Sequence, residues 1–290
     1  MDIQQLRMFQ SIVERGSMTQ AATKLHCVPS NITTRIKQLE QELKAPLFLR
    51  EGKTLKLTAS GEIFLEYSQK ILALCDEAKR SIHPDAAPSG PLRIGAIESS
   101  ATTRLPRLLA QYHQLYPDVS IQITTGTWQQ LLQDVMQHRL DGAIVAGQIN
   151  FPLLHQLEIY QENMVLIAPT SMGEIRCQED LIDKEIFMWT EGCPYRAALE
   201  AWLKLKHLSL PMTGIASYAT IIGCVSAGSG VSLVPKSLYE QYQGLSSIRG
   251  FDFAHLSSIQ NQFFWHQNVQ HHKARDAFIA LLKTEFSNKK

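Results

Sequence analysis

Apolar residues recur at helical spacing at the start of the chain, where they predict two short helices. Leu6 and Phe9 begin a pattern with steps of three and four residues, and Gly16 provides a stop for the first helix. Ser17 and Gln20 have the spacing of a capping box, in which each side chain accepts from the other residue's amide. A second helix is therefore predicted to begin directly after Ser17.

A third helix and a two-stranded ribbon are predicted to follow. Pro29 suits the first turn of a helix, because its ring fixes a helical φ and its missing amide hydrogen is not needed there. The apolar positions of this helix step by four, three and four residues: Ile32, Ile36, Leu39 and Leu43. Residues 47–50 and 53–57 predict two strands with a turn at Glu51 and Gly52, which together form a wing with a basic tip.

Thr58 is predicted to cap a longer helix that carries an apolar seam. The seam repeats about every 3.5 residues, a period typical of a helix that packs along another helix. Its members are Phe64, Tyr67, Ile71 and Leu74. Packing within the same domain would also explain this spacing, but we expect a coiled-coil contact between two chains. Pro84, Pro88 and Pro91 then predict a hinge or linker.

From Leu92 onward, strand and helix patterns alternate, which predicts two α/β lobes with a cleft between them. The first series, over 92–145, predicts a parallel sheet. The predicted strands are 92–97, 119–124, 142–145, 186–189, 230–234 and 259–266, with another near 162–169. The predicted helices are 102–116, 128–139, 195–207, 220–227 and 273–286.

The predicted fold class is thus α/β behind an N-terminal winged helix-turn-helix. We expect a winged helix-turn-helix domain over 1–58, a linker helix and hinge over 59–90, and a two-lobed domain over 91–290. The first lobe is predicted to span about 91–161 and 267–290, and the second about 162–266.

Charge is distributed unevenly along the chain. The net charge of the 290 residues is +1, yet residues 1–58 hold nine basic and five acidic side chains. A small basic module attached to a larger, nearly neutral one is typical of a DNA-binding head. Five cysteines without metal-ligand spacing, and an N-terminus without a secretory pattern, favour the reducing cytoplasm. The long uncharged stretch over 207–235 is interrupted by prolines and glycines, so we expect no membrane span.

Several spaced motifs in the first 61 residues agree in order with one family. They are Gly16-Ser17-Met18-Thr19-Gln20-Ala21-Ala22, Leu25-His26, the run from Asn31 to Leu43, Pro46-Leu47-Phe48-Leu49-Arg50, and Leu57-Thr58-Ala59-Ser60-Gly61. This segment resembles the winged helix-turn-helix of LysR-type transcriptional regulators, and the resemblance extends over the whole chain. It implies a linker helix, two effector-binding lobes like those of periplasmic binding proteins, and self-association as a dimer or tetramer. It also implies two partners, double-stranded promoter DNA and a small organic or amino acid effector.

The third helix and the wing supply the candidate DNA contacts. An exposed helix fits the major groove, where short polar and basic side chains reach base edges and phosphates. The candidates are Ser30, Thr33, Thr34 and Arg35 on the helix, with Arg50 and Lys53 on the wing. Where many family members have Ser-Gln-Pro at the start of the third helix, this chain has Val28-Pro29-Ser30, so a frequent glutamine contact to a base is absent here.

Loops at strand ends supply the candidate effector site. Helix N-termini gather there, and their amides favour an anionic or polar group. Together with the family resemblance, this predicts effector contacts at Ser99, Ser100, Thr102, Thr127, Tyr218 and Thr220. Helix capping alone would explain Ser99 and Thr102 equally well. For Cys193 and Arg196, near the expected cleft, we expect a buried thiol and a surface arginine.

Enzyme signatures are missing from the sequence. Ala227-Gly228-Ser229-Gly230 fits no phosphate-loop or hydrolase motif, and no nucleophile with a base can be assembled. His271 and His272 are predicted to lie at a solvated helix start rather than at a metal. We therefore expect no catalytic residues, no cofactor and no metal. The competing hypothesis is a binding protein or enzyme on the same bilobal fold, with front helices used only for dimerisation; the basic front and the wing argue against it.

Overall fold

The computed structural model describes residues 1–51, 54–81, 87–254, 256, 258–269 and 272–287. The chain divides into two compact units. The front unit comprises residues 1–86 with 137–139, and the rear unit comprises the remainder of 87–290.

The front unit is a helical domain with a small antiparallel ribbon. Its elements are α1 (Ile3–Arg15), α2 (Met18–Lys24), α3 (Pro29–Leu43), β1 (Phe48–Glu51), β2 (Thr54–Leu57) and α4 (Ala59–Ser81). The predicted stop at Gly16 is confirmed, since this residue ends α1 in the left-handed region at φ 66°. Pro29 lies in the first turn of α3, as predicted.

Capping in this unit differs from the prediction at one helix. Ser17 stands at the N-cap of α2, but its side chain makes no capping hydrogen bond, so the predicted capping box with Gln20 is wrong. A capping box forms instead at α1, between Asp2 and Gln5. The predicted cap at Thr58 is confirmed: its Oγ1 accepts from the Gly61 amide at 2.9 Å.

Three aromatic rings unite the front core. Phe9 of α1 is fully buried, and its ring centroid lies 5.2 Å from that of Phe48 and 5.0 Å from that of Phe64. Gly61 permits the ribbon and α4 to pack closely, because a Cβ atom there would lie 2.2 Å from the Leu47 carbonyl oxygen. Helix α4 is thus anchored to the front core through its first turns.

The rear unit contains two lobes. The first lobe has strands β3 (Gly90–Ala96), β4 (Val119–Thr125), β5 (Gly142–Ala146), β6 (Leu154–Glu162) and β12 (Ile259–His266), with helices α5 (Glu98–Thr103), α6 (Leu105–Leu115), α7 (Trp128–Met136) and α11 (Lys273–Ser287). The second has strands β7 (Met164–Pro169), β8 (Phe187–Met188), β9 (Thr213–Gly214), β10 (Ser232–Pro235) and β11 (Ile248–Phe251), with helices α8 (Pro194–Lys204), α9 (Tyr218–Ser226) and α10 (Lys236–Tyr242).

The first lobe is built on a mixed sheet in the order β4-β3-β5-β12-β6. The predicted parallel pairing is confirmed for β3 with β4 and β5, whereas β12 runs antiparallel to both of its neighbours. Residues 259–266 therefore belong to the first lobe, and their assignment to the second lobe is wrong. A strand inserted from a distant part of the chain leaves no local signal of its partner, so sequence order assigned it to the preceding lobe.

The second lobe contains an antiparallel three-stranded sheet in the order β10-β7-β11 and a short parallel pair, β8 with β9. Strand β7 is buried along its whole length, which explains its continuous apolar sequence. The helix predicted over 102–116 is in fact two helices, α5 and α6, which meet at Arg104. Pro106 explains the break, because it has no amide hydrogen to continue the hydrogen bonding of α5.

A buried carboxylate joins three segments of the first lobe. Asp141 accepts from the Arg93 amide at 2.7 Å and from its guanidinium at 3.1 Å, and His272 Nε2 lies 3.4 Å away. Although burial alone would raise the pKa of Asp141, His272 and Arg93 outweigh it and lower that pKa. The expectation that His272 is solvated is therefore wrong: the imidazole is buried at this carboxylate. His271 lies outside the described residues.

Candidate functional site

The outward face of α3 carries polar side chains over an apolar inner face. Ile32, Ile36 and Leu39 are buried in the front core, while the opposite face is exposed to solvent. We call this face the reading face; its exposed residues are Ser30, Asn31, Thr34, Lys37 and Gln38. The amphipathic spacing of the sequence produces this division directly.

The two other predicted contacts on α3 are engaged within the front unit. Thr33 is half-buried, and its hydroxyl donates to the Pro29 carbonyl oxygen at 3.0 Å. Arg35 Nη1 lies 2.9 Å from Asp2 Oδ2, which holds the guanidinium toward the start of α1. The side chain of Arg50 and the whole of Lys53 lie outside the described part of the chain.

The exposed apolar residues of α4 form a stripe beyond the front core. Tyr67 is 59% exposed and Leu74 is 65% exposed, with Ile63 on the same helix at 63%. Of the predicted seam, Phe64 packs into the core and Ile71 is half-buried. The seam thus divides into residues used within the unit and residues left uncovered.

A cavity lies between the two lobes of the rear unit. Its walls come from four separated parts of the chain, residues 97–99, 126–129, 189–195 and Tyr218, together with Ala146. The first two segments follow β3 and β4 at the carboxyl ends of parallel strands, where ligands bind in open α/β sheets. A concave site at this position, with an apolar wall and a few polar groups, is typical of a small-molecule site.

Glu98 contributes a carboxylate to this cavity from the first turn of α5. Its Oε1 accepts from the Tyr218 amide at 3.1 Å, a bond that joins the two lobes. Burial raises the pKa of Glu98, while this amide bond acts in the opposite direction. Among the described residues, no lysine or arginine forms an ion pair with Glu98.

Aromatic side chains make up much of the remaining wall. The ring centroids of Trp189 and Tyr218 lie 4.8 Å apart with their planes at 33°. Trp128 Nε1 donates to the Gly192 carbonyl oxygen at 2.9 Å, a second bond between the lobes. Tyr195 is buried beneath them, and its hydroxyl accepts from Ser99 Oγ at 3.4 Å.

The cavity includes three of the six predicted effector residues: Ser99, Thr127 and Tyr218. The other three are not among its lining residues. Ser100 Oγ lies 2.7 Å from the Tyr160 hydroxyl, and Thr220 is exposed with its amide donating to Ser217 Oγ. Thr102 lies on α5 and is not a lining residue. It does not cap that helix either, because the N-cap of α5 is Ile97.

The main omissions of the sequence prediction are Glu98, Trp189 and Glu191. Trp189 and Glu191 follow the short strand β8, and their strand-end position was the only available signal. Cys193 lines the cavity and is half-buried rather than buried as expected, and desolvation raises the pKa of its thiol. Arg196 is not a surface residue: its side chain is 13% exposed and its Nε lies 3.0 Å from Glu200 Oε1.

Within the described ranges, no group of three or more histidine, cysteine, aspartate or glutamate side chains is arranged to hold a metal ion. No helix in that same part of the chain is long and apolar enough to cross a membrane.

Two family models match the two units. Residues 3–62 match the bacterial regulatory helix-turn-helix protein of the lysR family, and residues 85–287 match the LysR substrate binding domain. The chain belongs to the LysR family of transcriptional regulators. It is a DNA-binding regulator with an effector-binding domain, and the family acts on promoter DNA, responds to small-molecule effectors and forms oligomers.

Individual relatives match over nearly the full chain. The HTH-type transcriptional regulator GltR of Bacillus subtilis is 35% identical, with 100% of this chain and 99% of that protein covered. YusT of the same species, also an HTH-type transcriptional regulator, is 38% identical over 89% of this chain and 87% of its own.

Solved structures share the fold. A full-length OxyR variant from Pseudomonas aeruginosa has a TM-score of 0.78 at 21% identity, over 98% of this chain and 94% of its own. Full-length CbnR complexed with its target DNA has a TM-score of 0.72 at 20% identity, over 98% and 99%.

Proposed function

We propose that the reading face of α3 contacts the bases and phosphates of the operator, with Ser30, Thr34 and Lys37 as its central residues. The observation that carries this proposal is the exposure of these polar side chains on a helix whose other face is fixed in the front core. Such a helix has the diameter of the major groove. Thr33 and Arg35 act mainly as supports, because their polar groups are already bonded within the unit.

Arg50 and Lys53 remain proposed backbone contacts from the wing on charge and position in the sequence. The protein is also proposed to act in the cytoplasm and without catalysis, since its output is a change in DNA binding. The boundaries of the functional parts are proposed at residue 58 for the DNA-binding domain and near residue 90 for the end of the linker.

Replacing Lys37 with alanine tests the reading face. The variant should bind operator and unrelated DNA more weakly and reduce the slope of log affinity against log salt by about 1, because one phosphate contact is lost. Fluorescence anisotropy over a salt series measures this slope. Lys204→Ala, which removes an exposed lysine from α8 of the rear unit, is the matched control. An unchanged slope in Lys37→Ala would remove this residue from the interface.

The exposed stripe on α4 is proposed as the dimer contact. Its residues project from the helix at a spacing that suits a coiled-coil seam, and their exposure in one chain leaves apolar area for a second chain to cover. Tyr67 and Leu74 are the proposed seam residues, with Ile71 at its edge. Phe64 serves the front core instead.

Leu74→Asp should dissociate the dimer, because it places a charge in an apolar interface without disturbing the core of its own unit. Sedimentation velocity over a concentration series reports the change. Leu245→Asp supplies the control: Leu245 is 83% exposed in the rear unit, so this charge should leave the oligomer intact. A Leu74→Asp variant that sediments like the unsubstituted protein would contradict the proposed seam.

The cavity between the lobes is proposed as the effector site, with Ser99, Thr127 and Tyr218 among its contacts. The effector must prefer one arrangement of the lobes to change DNA binding, since equal affinity for two arrangements shifts neither. Trp128→Ala should reduce the response of DNA binding to the effector while the DNA affinity without effector stays the same. If Trp128→Ala loses both the response to the effector and the DNA affinity without effector, this tryptophan supports the fold rather than the site.

A further inference from the structure

The charge of the effector cavity is one-sided. Glu98 and Glu191 both belong to its wall, and none of the described residues that line it is lysine, arginine or histidine. Neither carboxylate forms an ion pair with a described basic side chain. The basic residue that follows the 189–195 segment, Arg196, is held by Glu200 and by the Trp189 carbonyl oxygen. An anionic ligand would meet two negative charges here without a compensating cation.

Amides at three of the helix starts near the cavity are already engaged or absent. The Tyr218 amide at the start of α9 already donates to Glu98, and the Thr220 amide donates to Ser217 Oγ. At the start of α7, the Gln130 amide donates to Thr127 Oγ1. Helix α8 begins with Pro194, which has no amide hydrogen. At the starts of α7, α8 and α9, these donors are therefore engaged by the protein or missing.

The aromatic wall suits a cation. Trp128, Trp189 and Tyr218 all line the cavity, and the negative face of an aromatic ring attracts an ammonium group within about 6 Å of its centroid. Tryptophan gives the strongest attraction, particularly when water is displaced. A half-buried carboxylate in the same cavity wall, that of Glu98, complements the same charge.

We propose that the effector carries a positively charged nitrogen, a protonated amine or a quaternary ammonium, held by the Glu98 carboxylate against the rings of Trp189 and Tyr218. Glu191, which is exposed at the cavity wall, adds attraction over a longer distance. This inference rests on the proposed effector site and narrows its ligand to one chemical class. A neutral remainder of the molecule can extend toward Ser99 and Thr127.

Matched probes that differ only in charge test the inference. Benzylamine, benzyl alcohol and benzoate share one ring, and choline has an uncharged carbon isostere in dimethylbutanol. Binding is followed in the full-length protein by tryptophan fluorescence and by the shift of the melting temperature, which rises for any ligand that binds only the folded state. Each cation should bind at least about tenfold more tightly than its uncharged isostere, and benzoate should bind weakest.

Two variants locate the effect. Glu98→Gln should reduce the affinity of both cations about tenfold and change the affinity of the alcohols by less than about twofold. Glu174→Gln, at an exposed carboxylate that is not among the cavity residues, should change neither. If Glu98→Gln alters folding, Glu191→Gln is measured in its place. It should also reduce the affinity for both cations, by a smaller factor.

The outcomes separate the ligand class from the site. Suppose that benzoate or the uncharged isosteres bind as tightly as the cations, that the probes compete with one another, and that Trp189→Leu abolishes their binding. This result would overturn the cationic class and leave the effector site in place. If no probe changes the fluorescence or melting temperature, both the cationic class and the cavity as effector site are overturned. Cation binding that survives Glu98→Gln and Glu191→Gln unchanged would also overturn the inference.

Discussion

The reading face and the effector cavity are built in opposite ways. The reading face is a convex surface on one continuous helix, α3, whose inner face is fixed by the front core. The cavity is a concave surface that joins four separated segments of two lobes. A site on one helix is determined by local periodicity, whereas a site between lobes depends on the packing of elements far apart in the chain. The two units should therefore fail independently when each core is damaged.

The largest effect is expected from a reciprocal pair of core substitutions. Phe9→Ala removes the ring between Phe48 and Phe64, and Phe278→Ala removes a buried ring that packs on Tyr112 in the rear unit. Each should cost about 3–5 kcal/mol of unfolding free energy in its own unit, because a large buried ring leaves a cavity. Phe9→Ala should abolish DNA binding and spare ligand binding.

The same pair shows whether the units are independent. Differential scanning calorimetry, combined with DNA and ligand titrations, distinguishes the transition of each unit. Phe278→Ala should have the opposite effect to Phe9→Ala: it should abolish ligand binding and spare DNA binding. If either substitution lowers both transitions equally, the units unfold as one and the comparison is wrong.

A smaller effect is expected from the carboxylate that joins three segments of the first lobe. Asp141→Asn should cost about 2 kcal/mol, below the range for a fully buried ion pair because the Arg93 side chain is 34% exposed. The folded pKa of Asp141 lies below its unfolded value. Its contribution is therefore present above about pH 3.9 and is lost as the pH falls through the lower, folded pKa.

Urea denaturation at several pH values measures this contribution. As the pH falls from about 5 to about 2, the unfolding free energy of the unsubstituted protein should fall toward that of Asp141→Asn. Asp183→Asn, at an exposed aspartate of the second lobe, is the control and should show a constant difference. A difference for Asp141→Asn that does not shrink on acidification would contradict the ionic role of this carboxylate.

The smallest effect tests the border of the cavity. Thr102→Val should change effector affinity by less than about 0.5 kcal/mol, since Thr102 is not a lining residue and a surface-type change of equal volume has little effect. Ser99→Ala, which changes a residue of the cavity wall, is the comparison. It should weaken ligand binding by about 1 kcal/mol if the ligand forms a hydrogen bond with the Ser99 hydroxyl. Isothermal titration with any probe that binds the cavity measures both. A larger loss in Thr102→Val would extend the site beyond its present lining.

The sequence predicted most of what local signals determine. Apolar spacing predicted α3 and the burial of Ile32, Ile36 and Leu39, although Leu43 is exposed. Gly16 ended α1, and Thr58 capped α4. The cavity was predicted only in part: Ser99, Thr127 and Tyr218 follow from strand ends and family resemblance, but Glu98 was overlooked as a charge within a polar loop. The anion preference expected from helix N-termini stays a prediction; at α7 and α9, the Gln130, Tyr218 and Thr220 amides donate to Thr127, Glu98 and Ser217.

The position of β12 has a consequence for synthesis of the protein. This strand lies between β5 and β6, although about one hundred residues separate it from either along the chain. All strands of the second lobe leave the ribosome before residues 259–266, so the lobe that begins first is completed last. Until then, β5 and β6 each expose an unpaired edge, which is a template for association with other chains. A nascent chain released before residue 259 therefore carries two such edges, and truncated products of this gene should aggregate.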